Sequence, residues 1–185
     1  LIAVLAGIVQ GVVEWLPVSS EGAIVLTRLY VFDGSATLHD SIELALFLHF
    51  GTFLSALVYF RKDVYELLRG ALRFNRTRRS LRRTLLFLVV ATVISGLLGL
   101  GLLELIETME AQLRLTGKGI TLLVGFLLLF TGFTQLRAGG GGDLEPDDLG
   151  VADGVLLGIA QGLAALPGIS RSGMTVSVLL LRNYR

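Results

Sequence analysis

The sequence predicts an all-α, polytopic membrane protein. Its mean hydropathy is +0.74 and 53% of its residues are hydrophobic, which is too apolar for an ordinary soluble domain of this length. Several apolar runs are long enough to cross a bilayer. Two shorter runs, one near each end of the chain, stop at a proline and open into a serine-rich turn. We therefore expect one membrane domain over residues 1–185, with a repeat at each end that forms a re-entrant helix–loop–helix region.

The first re-entrant region is predicted over residues 1–40. Residues 1–16 form an apolar helix of about 24 Å, shorter than the roughly 30 Å hydrocarbon core. Pro17 ends this helix, residues 18–22 form a turn, and an apolar run resumes at residues 23–32. Residues 33–40 are expected to form a polar connection. Irregular backbone inside the membrane is tolerated only where protein or a water-filled cavity covers it.

A full span is predicted at residues 41–60, followed by a basic loop at residues 61–83. This loop carries nine of the sixteen basic residues of the chain, so the positive-inside rule places it in the cytoplasm. Its charge is interpreted as a topology signal that also contacts lipid head groups. Nucleic-acid binding is the weaker alternative, and no nucleic-acid partner is expected.

Two further spans are predicted within residues 84–136, joined by a polar connection at residues 107–118 and followed by a glycine-rich, acidic loop at residues 137–150. These glycines follow no predicted strand and precede no lysine at P-loop spacing, so they do not indicate a nucleotide site. Residues 151–185 form the second re-entrant region. Its first apolar run ends at Pro167, and residues 168–172 form the turn.

The two end regions repeat a short pattern. Residues 7–11 read GIVQG and residues 158–162 read GIAQG, and each is followed by Leu-Pro and a serine turn. Paired, interrupted apolar segments indicate a central binding site in repeat-built membrane proteins. Chance similarity between two glycine- and leucine-rich segments is the alternative.

Ionisable residues in both interrupted regions indicate a polar site. Glu14 lies in the first region and Arg171 in the second, and a charge at membrane depth is costly enough to suggest function. Gln10 shares a helix face with Glu14. The planar guanidinium suits phosphate, and hydroxyls and free amides at a helix start complete an anion site. The four turn serines supply those hydroxyls: Ser19, Ser20, Ser170 and Ser172.

Each of these residues has more than one interpretation. Glu14 could hold a divalent cation, act as a general base or orient a nucleophile, and a turn serine could be that nucleophile. Alternatively, Glu14 is a structural partner of Arg171, and Ser19 and Ser20 only cap a helix. His49 lies in the middle of a span, where a packed, hydrogen-bonded histidine is the alternative to a catalytic one. The chain has no cysteine, which excludes thiol chemistry.

Two motifs give the chain a family resemblance. Residues 10–22, QGVVEWLPVSSEG, and residues 167–175, PGISRSGMT, resemble the two motifs of the undecaprenyl pyrophosphate phosphatase family, the bacitracin-resistance type. Residues 48–52, LHFGT, and the basic segment that follows are also similar to that family. The resemblance covers nearly the whole chain and implies inverted repeats with two re-entrant helix–loop–helix regions.

The resemblance implies hydrolysis of a polyprenyl diphosphate, of undecaprenyl or dolichyl type, to the monophosphate and phosphate. This reaction recycles a lipid carrier for surface-glycan synthesis in the cell membrane, at a site that faces outside the cytoplasm. Glu14 matches the essential acid and cation ligand, Ser20 the nucleophile, and Arg171 the diphosphate-binding arginine, with magnesium or calcium as cofactor. The remaining candidate substrate-binding residues are Gln10, Ser19, Glu21, His49, Ser170, Ser172 and Thr175.

The chain departs from the family pattern at two positions. Ala23 stands where a histidine is common, and Gln10 stands where many members carry a second acid. Glu21 or His49 could take over the role of the histidine. The composition of the basic and acidic segments suggests an archaeal member, and family members usually continue for several more helices, so we expect a C-terminally truncated chain.

Two alternatives to the hydrolase remain open from the sequence. A polyprenyl-phosphate transporter or flippase would need the same phosphate site without a nucleophile. A degenerate, non-catalytic subunit is disfavoured because Glu14 and Arg171 are both present. A homodimer is the candidate assembly.

Overall fold

The computed structural model describes residues 2–32, 38–113, 117–140 and 142–185, and these residues form eight α-helices. The bounds of the helices are α1 Ile2–Val13, α2 Ser20–Thr27, α3 Leu38–Tyr59, α4 Arg61–Leu72, α5 Arg79–Leu113, α6 Gly117–Arg137, α7 Val151–Leu163 and α8 Arg171–Leu181. A π-helical turn, Arg28–Phe32, extends α2. The one β-type contact in these ranges is an isolated bridge between Leu144 and Tyr184.

Three helices are long and apolar enough to cross a membrane. They cover Leu38–Tyr59, Arg79–Ile106 and Lys118–Arg137. Apolar side chains project outward from all three, for example Phe50, Leu97 and Phe126, as expected where lipid rather than water surrounds a helix. The predicted all-α, polytopic membrane fold is thereby confirmed.

Two predicted connections are wrong in detail. Residues 61–83 are not a loop, because α4, a short 3-10 turn at Phe74–Arg76 and the start of α5 occupy them. In this segment the apolar residues recur at helical spacing, but the many charged residues between them obscure that pattern. The polar connection expected at residues 107–118 is also largely helical, since α5 continues to Leu113. The expected connection at residues 33–40 lies mostly outside the described residues.

The two end regions each form a helix–turn–helix pair with the same capping. Ser19 is the N-cap of α2, and its side chain accepts a hydrogen bond from Gly22 N. Ser170 is the N-cap of α8 and accepts one from Gly173 N. Such caps satisfy amides that the first turn of a helix leaves free. The re-entrant insertion and the inverted relation of the two pairs stay predictions.

Among the described helices, α5 and α7 make the most extensive contact. Gly154, Gly158 and Gly162 are four residues apart and face α5, where a side chain would collide with it. A Cβ at Gly158 would lie 2.9 Å from the carbonyl oxygen of Ala91 and 2.8 Å from Cβ of Ile94. Small residues at this spacing let helix backbones approach closely in membranes.

Gly158→Ala is therefore expected to destabilise the protein by about 1–3 kcal/mol, because a backbone oxygen cannot move away from the new methyl group. The matched control is Gly125→Ala in α6, where a Cβ would meet nothing within 4 Å. The control should be neutral or stabilising, since alanine favours a helix over glycine by about 1 kcal/mol. Thermal unfolding in detergent measures both variants, and equal effects would contradict this packing.

Candidate active site between the two turns

The turn that follows α1 packs directly against the turn that follows α7. The hydroxyl of Ser19 accepts hydrogen bonds from Gly22 N at 3.1 Å and from Gly168 N at 3.0 Å. A Cβ on Gly22 would lie 3.3 Å from Cα of Gly168, and Gly168 itself has φ +115°. Only glycine fits this conformation and this approach of backbones. The two ends of the chain thus form one site.

A cluster of three donors surrounds the carboxylate of Glu14. Its Oε2 accepts a hydrogen bond from Gln10 Nε2 at 2.7 Å and from the Ser20 hydroxyl at 2.6 Å. His49 Nε2 lies 3.0 Å from the same oxygen. Gln10 reaches Glu14 because the two are one helical turn apart, and Ser20 reaches it because Pro17 turns the chain back. Glu14 therefore accepts the hydrogen of the Ser20 hydroxyl.

His49 faces an acceptor with each of its ring nitrogens. Nδ1 lies 2.6 Å from the carbonyl oxygen of Ala45, and Nε2 faces Glu14. Only the doubly protonated ring can donate to both. His49 is thus placed to donate a hydrogen bond to Glu14, and Glu14 is placed to accept the Ser20 proton.

Arg171 and Glu21 form the other polar pair of the site. Arg171 Nη2 lies 3.7 Å from Glu21 Oε1, and the arginine side chain is 47% exposed whereas that of Glu21 is 6% exposed. Arg171 therefore pairs with Glu21, and not with Glu14 as the alternative interpretation of the sequence proposed. Within the described ranges, Glu21 Oε2 and Gln10 Oε1 are buried oxygens that lack a hydrogen-bond partner. Buried polar atoms of this kind are uncommon and call for an explanation.

Helix α6 is hydrogen-bonded to both turns through two polar residues, which lie one helical turn apart. The Thr131 hydroxyl donates to Gly168 O at 3.1 Å and accepts from Ser170 N at 3.2 Å. Gln135 Nε2 donates to Pro17 O at 2.7 Å. Ser172 adds a third tie, because its hydroxyl donates to Leu16 O at 2.7 Å. These bonds set the distance between the Glu14 side and the Arg171 side.

Gln135→Ala is expected to lower kcat about 5-fold, since one hydrogen bond of about 1 kcal/mol holds the first turn in register. The KM should change little, because Gln135 does not reach the cavity. Gln135→Glu should be no better, as a carboxylate of the same size cannot donate to Pro17 O. Steady-state kinetics of both variants measure this, and wild-type kcat in Gln135→Ala would contradict the positioning role.

The site residues line a cavity that opens sideways into an apolar groove. Glu14, Ser20, Glu21, His49 and Arg171 line the inner cavity. The groove beside it has a volume of about 500 Å³. We call this volume the side groove; its walls include Trp15, Thr52, Phe53, Ala56, Thr175 and Val176. A polar end and an apolar flank suit an amphiphile with a charged head.

The structure gathers every residue that the sequence singled out around these turns, though in differing roles. Gln10, Glu14, Ser20 and His49 form the carboxylate cluster. The others are placed as follows: Ser19 and Ser170 cap helices, Ser172 ties the turns, Thr175 lines the side groove, and Glu21 faces Arg171.

Three residues of the site are not among those predicted from the sequence: Thr131, Gln135 and Gln161, although Gln161 lies in the GIAQG repeat. Gln161 lines the side groove and its Nε2 lies 3.3 Å from the Thr175 hydroxyl. Thr131 and Gln135 are polar residues four apart in an otherwise apolar span, a signal that could have been noticed.

A divalent cation would find carboxylate ligands here but no preformed cage. Across the ranges that the structure describes, three or more His, Cys, Asp or Glu side chains nowhere gather as a metal site would require. Glu14 and Glu21 both line the inner cavity, and Glu21 has an unpartnered buried oxygen. Two hard oxygen donors fit magnesium, which keeps several waters and shares phosphate oxygens.

Comparison with known proteins identifies the family. The model of the family "Bacitracin resistance protein BacA" matches residues 3–185. A protein of Methanococcoides burtonii named "Undecaprenyl-diphosphatase" is 39% identical over 185 residues, which cover 98% of this chain and 68% of the relative. Proteins of the same name from Haloarcula marismortui and Methanothrix thermoacetophila are 41% and 40% identical, with 67% and 65% of their lengths covered.

The chain thus spans about two thirds of the length of these curated relatives. The relatives are archaeal, in agreement with the archaeal affinity expected from the composition. The family match extends over both serine turns and all eight described helices. The chain belongs to the bacitracin resistance protein BacA family.

Proposed function

We propose that this protein hydrolyses a polyprenyl diphosphate, of undecaprenyl or dolichyl type, to the monophosphate and inorganic phosphate. The observation that carries the proposal is the 2.6 Å hydrogen bond from the Ser20 hydroxyl to Glu14, inside a cavity that Arg171 also lines. A nucleophile with an adjacent base, opposite an arginine, is an arrangement that supports phosphoryl transfer. The relatives named undecaprenyl-diphosphatase support the same reaction.

Arg171 and the two helix starts bind the diphosphate in this proposal. Ser20 and Ser172, in the first turns of α2 and α8, both line the inner cavity. The N-terminus of a helix favours an anion, because its free amides and the helix dipole present positive charge. The guanidinium adds a forked donor that suits phosphate oxygens. These groups place the terminal phosphorus beside Ser20.

Ser20 Oγ then attacks the terminal phosphorus while its proton passes to Glu14. The bond from that phosphorus to the bridging oxygen breaks, and the lipid monophosphate leaves. Water hydrolyses the resulting phosphoserine, which returns the proton to Ser20 and releases phosphate. His49 keeps Glu14 oriented through its 3.0 Å contact throughout. General-base assistance of this kind contributes about 10²–10⁴-fold to a rate.

A divalent cation, magnesium or calcium, would be held by Glu14 and Glu21 together with phosphate oxygens. It would neutralise charge on the diphosphate and stabilise the charge that develops on the leaving oxygen. The unpartnered Oε2 of buried Glu21 is the feature that favours this assignment.

The apolar tail of the substrate would lie in the side groove and continue along α3. Trp15 and Ala56 belong both to the side groove and to a further cavity of about 330 Å³ that reaches Tyr59 and Phe60. This route is lined mainly by apolar side chains and leaves the polar cluster at one end. We place the protein in the plasma membrane with its site facing outside the cytoplasm, and a homodimer stays a prediction.

Phosphate release from undecaprenyl diphosphate by the full-length protein in detergent tests the proposal. The expected result is steady turnover that depends on magnesium and stops with EDTA. A micelle has no second leaflet, so the transporter alternative would give lipid binding without phosphate. That outcome would overturn the hydrolase assignment, whereas turnover that EDTA leaves unchanged would overturn only the cation.

A further inference from the structure

Helix α4 packs on α5 with one side and leaves a second apolar side uncovered. Gly70 is buried against α5, where a Cβ would lie 2.9 Å from Leu81 Cδ2. The Thr77 hydroxyl donates to Gly70 O and closes the turn that leads from α4 into α5. The covered side of α4 is therefore fixed by this close approach, and the opposite side faces away from the protein.

Three large apolar side chains form an exposed stripe on that outer side. Tyr65, Leu68 and Leu72 are 66%, 60% and 88% exposed. Spacings of three and four residues place them on one face of the helix. We call these three residues the outer stripe. A contiguous exposed apolar face usually marks a surface that contacts a membrane, a ligand or another protein.

Cations lie along one flank of the outer stripe. Lys62, Arg69 and Arg73 fall about 60–100° around the helix from it, at 100° per residue, and Arg76 follows in the adjoining turn. Within the part of the chain that the structure describes, none of these four forms an ion pair. Their charge is thus available to an external anion.

A polar cavity joins the end of the outer stripe to two of these cations. Leu72, Arg73, Asn75 and Arg76 line this cavity, which has a volume of about 500 Å³. Arginine provides the forked donors that phosphate accepts. A cavity lined by Leu72 and two arginines suits a phosphate group that is attached to acyl chains.

We propose that α4 lies in the membrane interface and that Arg73 and Arg76 bind the phosphate of an anionic phospholipid. The outer stripe then contacts acyl chains, while the basic flank faces the head groups. A helix with an apolar face beside a Lys/Arg-rich face is the usual form of an interfacial helix. A nucleic acid would leave the outer stripe in water, so the charge alone does not account for this surface.

Spin labels on the full-length protein in nanodiscs test the position of α4. The chain has no cysteine, so Leu72→Cys and Leu68→Cys each carry a single nitroxide. In equal parts phosphatidylglycerol and phosphatidylcholine, both labels should be accessible to oxygen and shielded from a water-soluble nickel complex. The matched control Glu66→Cys lies off the outer stripe and should show the reverse. Nickel access at position 72 would overturn the proposal, and so would protection from both reagents, which indicates a protein contact.

Thermal unfolding tests whether anionic lipid head groups stabilise the protein. Wild-type protein should unfold at a higher temperature in nanodiscs containing phosphatidylglycerol than in phosphatidylcholine alone. The Arg73→Gln/Arg76→Gln variant should lose at least half of that shift, whereas Arg137→Gln, at the end of α6, should retain it. An unchanged shift in the double variant would overturn the assignment of these two arginines.

Discussion

Glu14→Gln is expected to lower kcat for diphosphate hydrolysis by about 10³-fold, the contribution of a well-placed general base. Glutamine has the same size, so the contacts with Gln10 and His49 can be kept in part. However, an amide cannot take the proton from the Ser20 hydroxyl, which now lies 2.6 Å from the carboxylate. Phosphate release at saturating substrate measures the effect.

The control for this variant is Glu104→Gln, an exposed acid on α5, which should leave kcat unchanged. Circular dichroism and unfolding temperature should show that Glu14→Gln is folded. A Glu14→Gln protein that retains more than about a tenth of wild-type kcat would contradict the base role, since that residue then contributes less than general-base catalysis typically does.

Arg171→Ala is expected to lower kcat/KM by about 10²–10³-fold, comparable to the loss of one preorganised donor at a developing charge. Its only ion pair among the described residues is the 3.7 Å contact with Glu21, so its donors are available to substrate. Part of the loss should appear as a raised KM, because the arginine binds the ground state as well. Arg171→Lys should recover the charge but not the forked geometry, and thus only part of the activity.

Arg137→Ala, at the end of α6, is the matched control for a lost surface arginine and should keep wild-type kcat/KM. A second comparison uses inorganic phosphate as a competitive inhibitor, whose Ki should rise in Arg171→Ala and stay constant in Arg137→Ala. Equal inhibition of the wild type and Arg171→Ala would contradict phosphate binding by this residue.

The turns and the charged residues could be predicted from the sequence because they break local patterns. Pro17 and Pro167 interrupt apolar runs, and Glu14 and Arg171 stand out at membrane depth. The serines are recognisable as caps, since a helix start needs acceptors for its free amides. These signals act over a few residues, so no knowledge of packing was needed.

The pairing of side chains could not be predicted, because it depends on how helices pack. Glu14 meets His49, and Arg171 meets Glu21, whereas the sequence only suggested that Glu14 and Arg171 lie opposite each other. The contacts of Gln135 with a turn 118 residues away are likewise a tertiary property. The high charge of residues 61–72 predicts a loop, whereas the apolar periodicity of the same residues is that of helix α4.

The central claim is that Ser20 attacks phosphorus with Glu14 as its base, and Ser20→Ala tests it most directly. Turnover of undecaprenyl diphosphate by this variant, beside Ser19→Ala as a neighbouring control, is the measurement. The account predicts that Ser20→Ala loses at least about 10²-fold in kcat, while Ser19→Ala loses thermal stability, because its hydroxyl accepts from both turns. Wild-type turnover in Ser20→Ala would contradict the account and leave water as the attacking group.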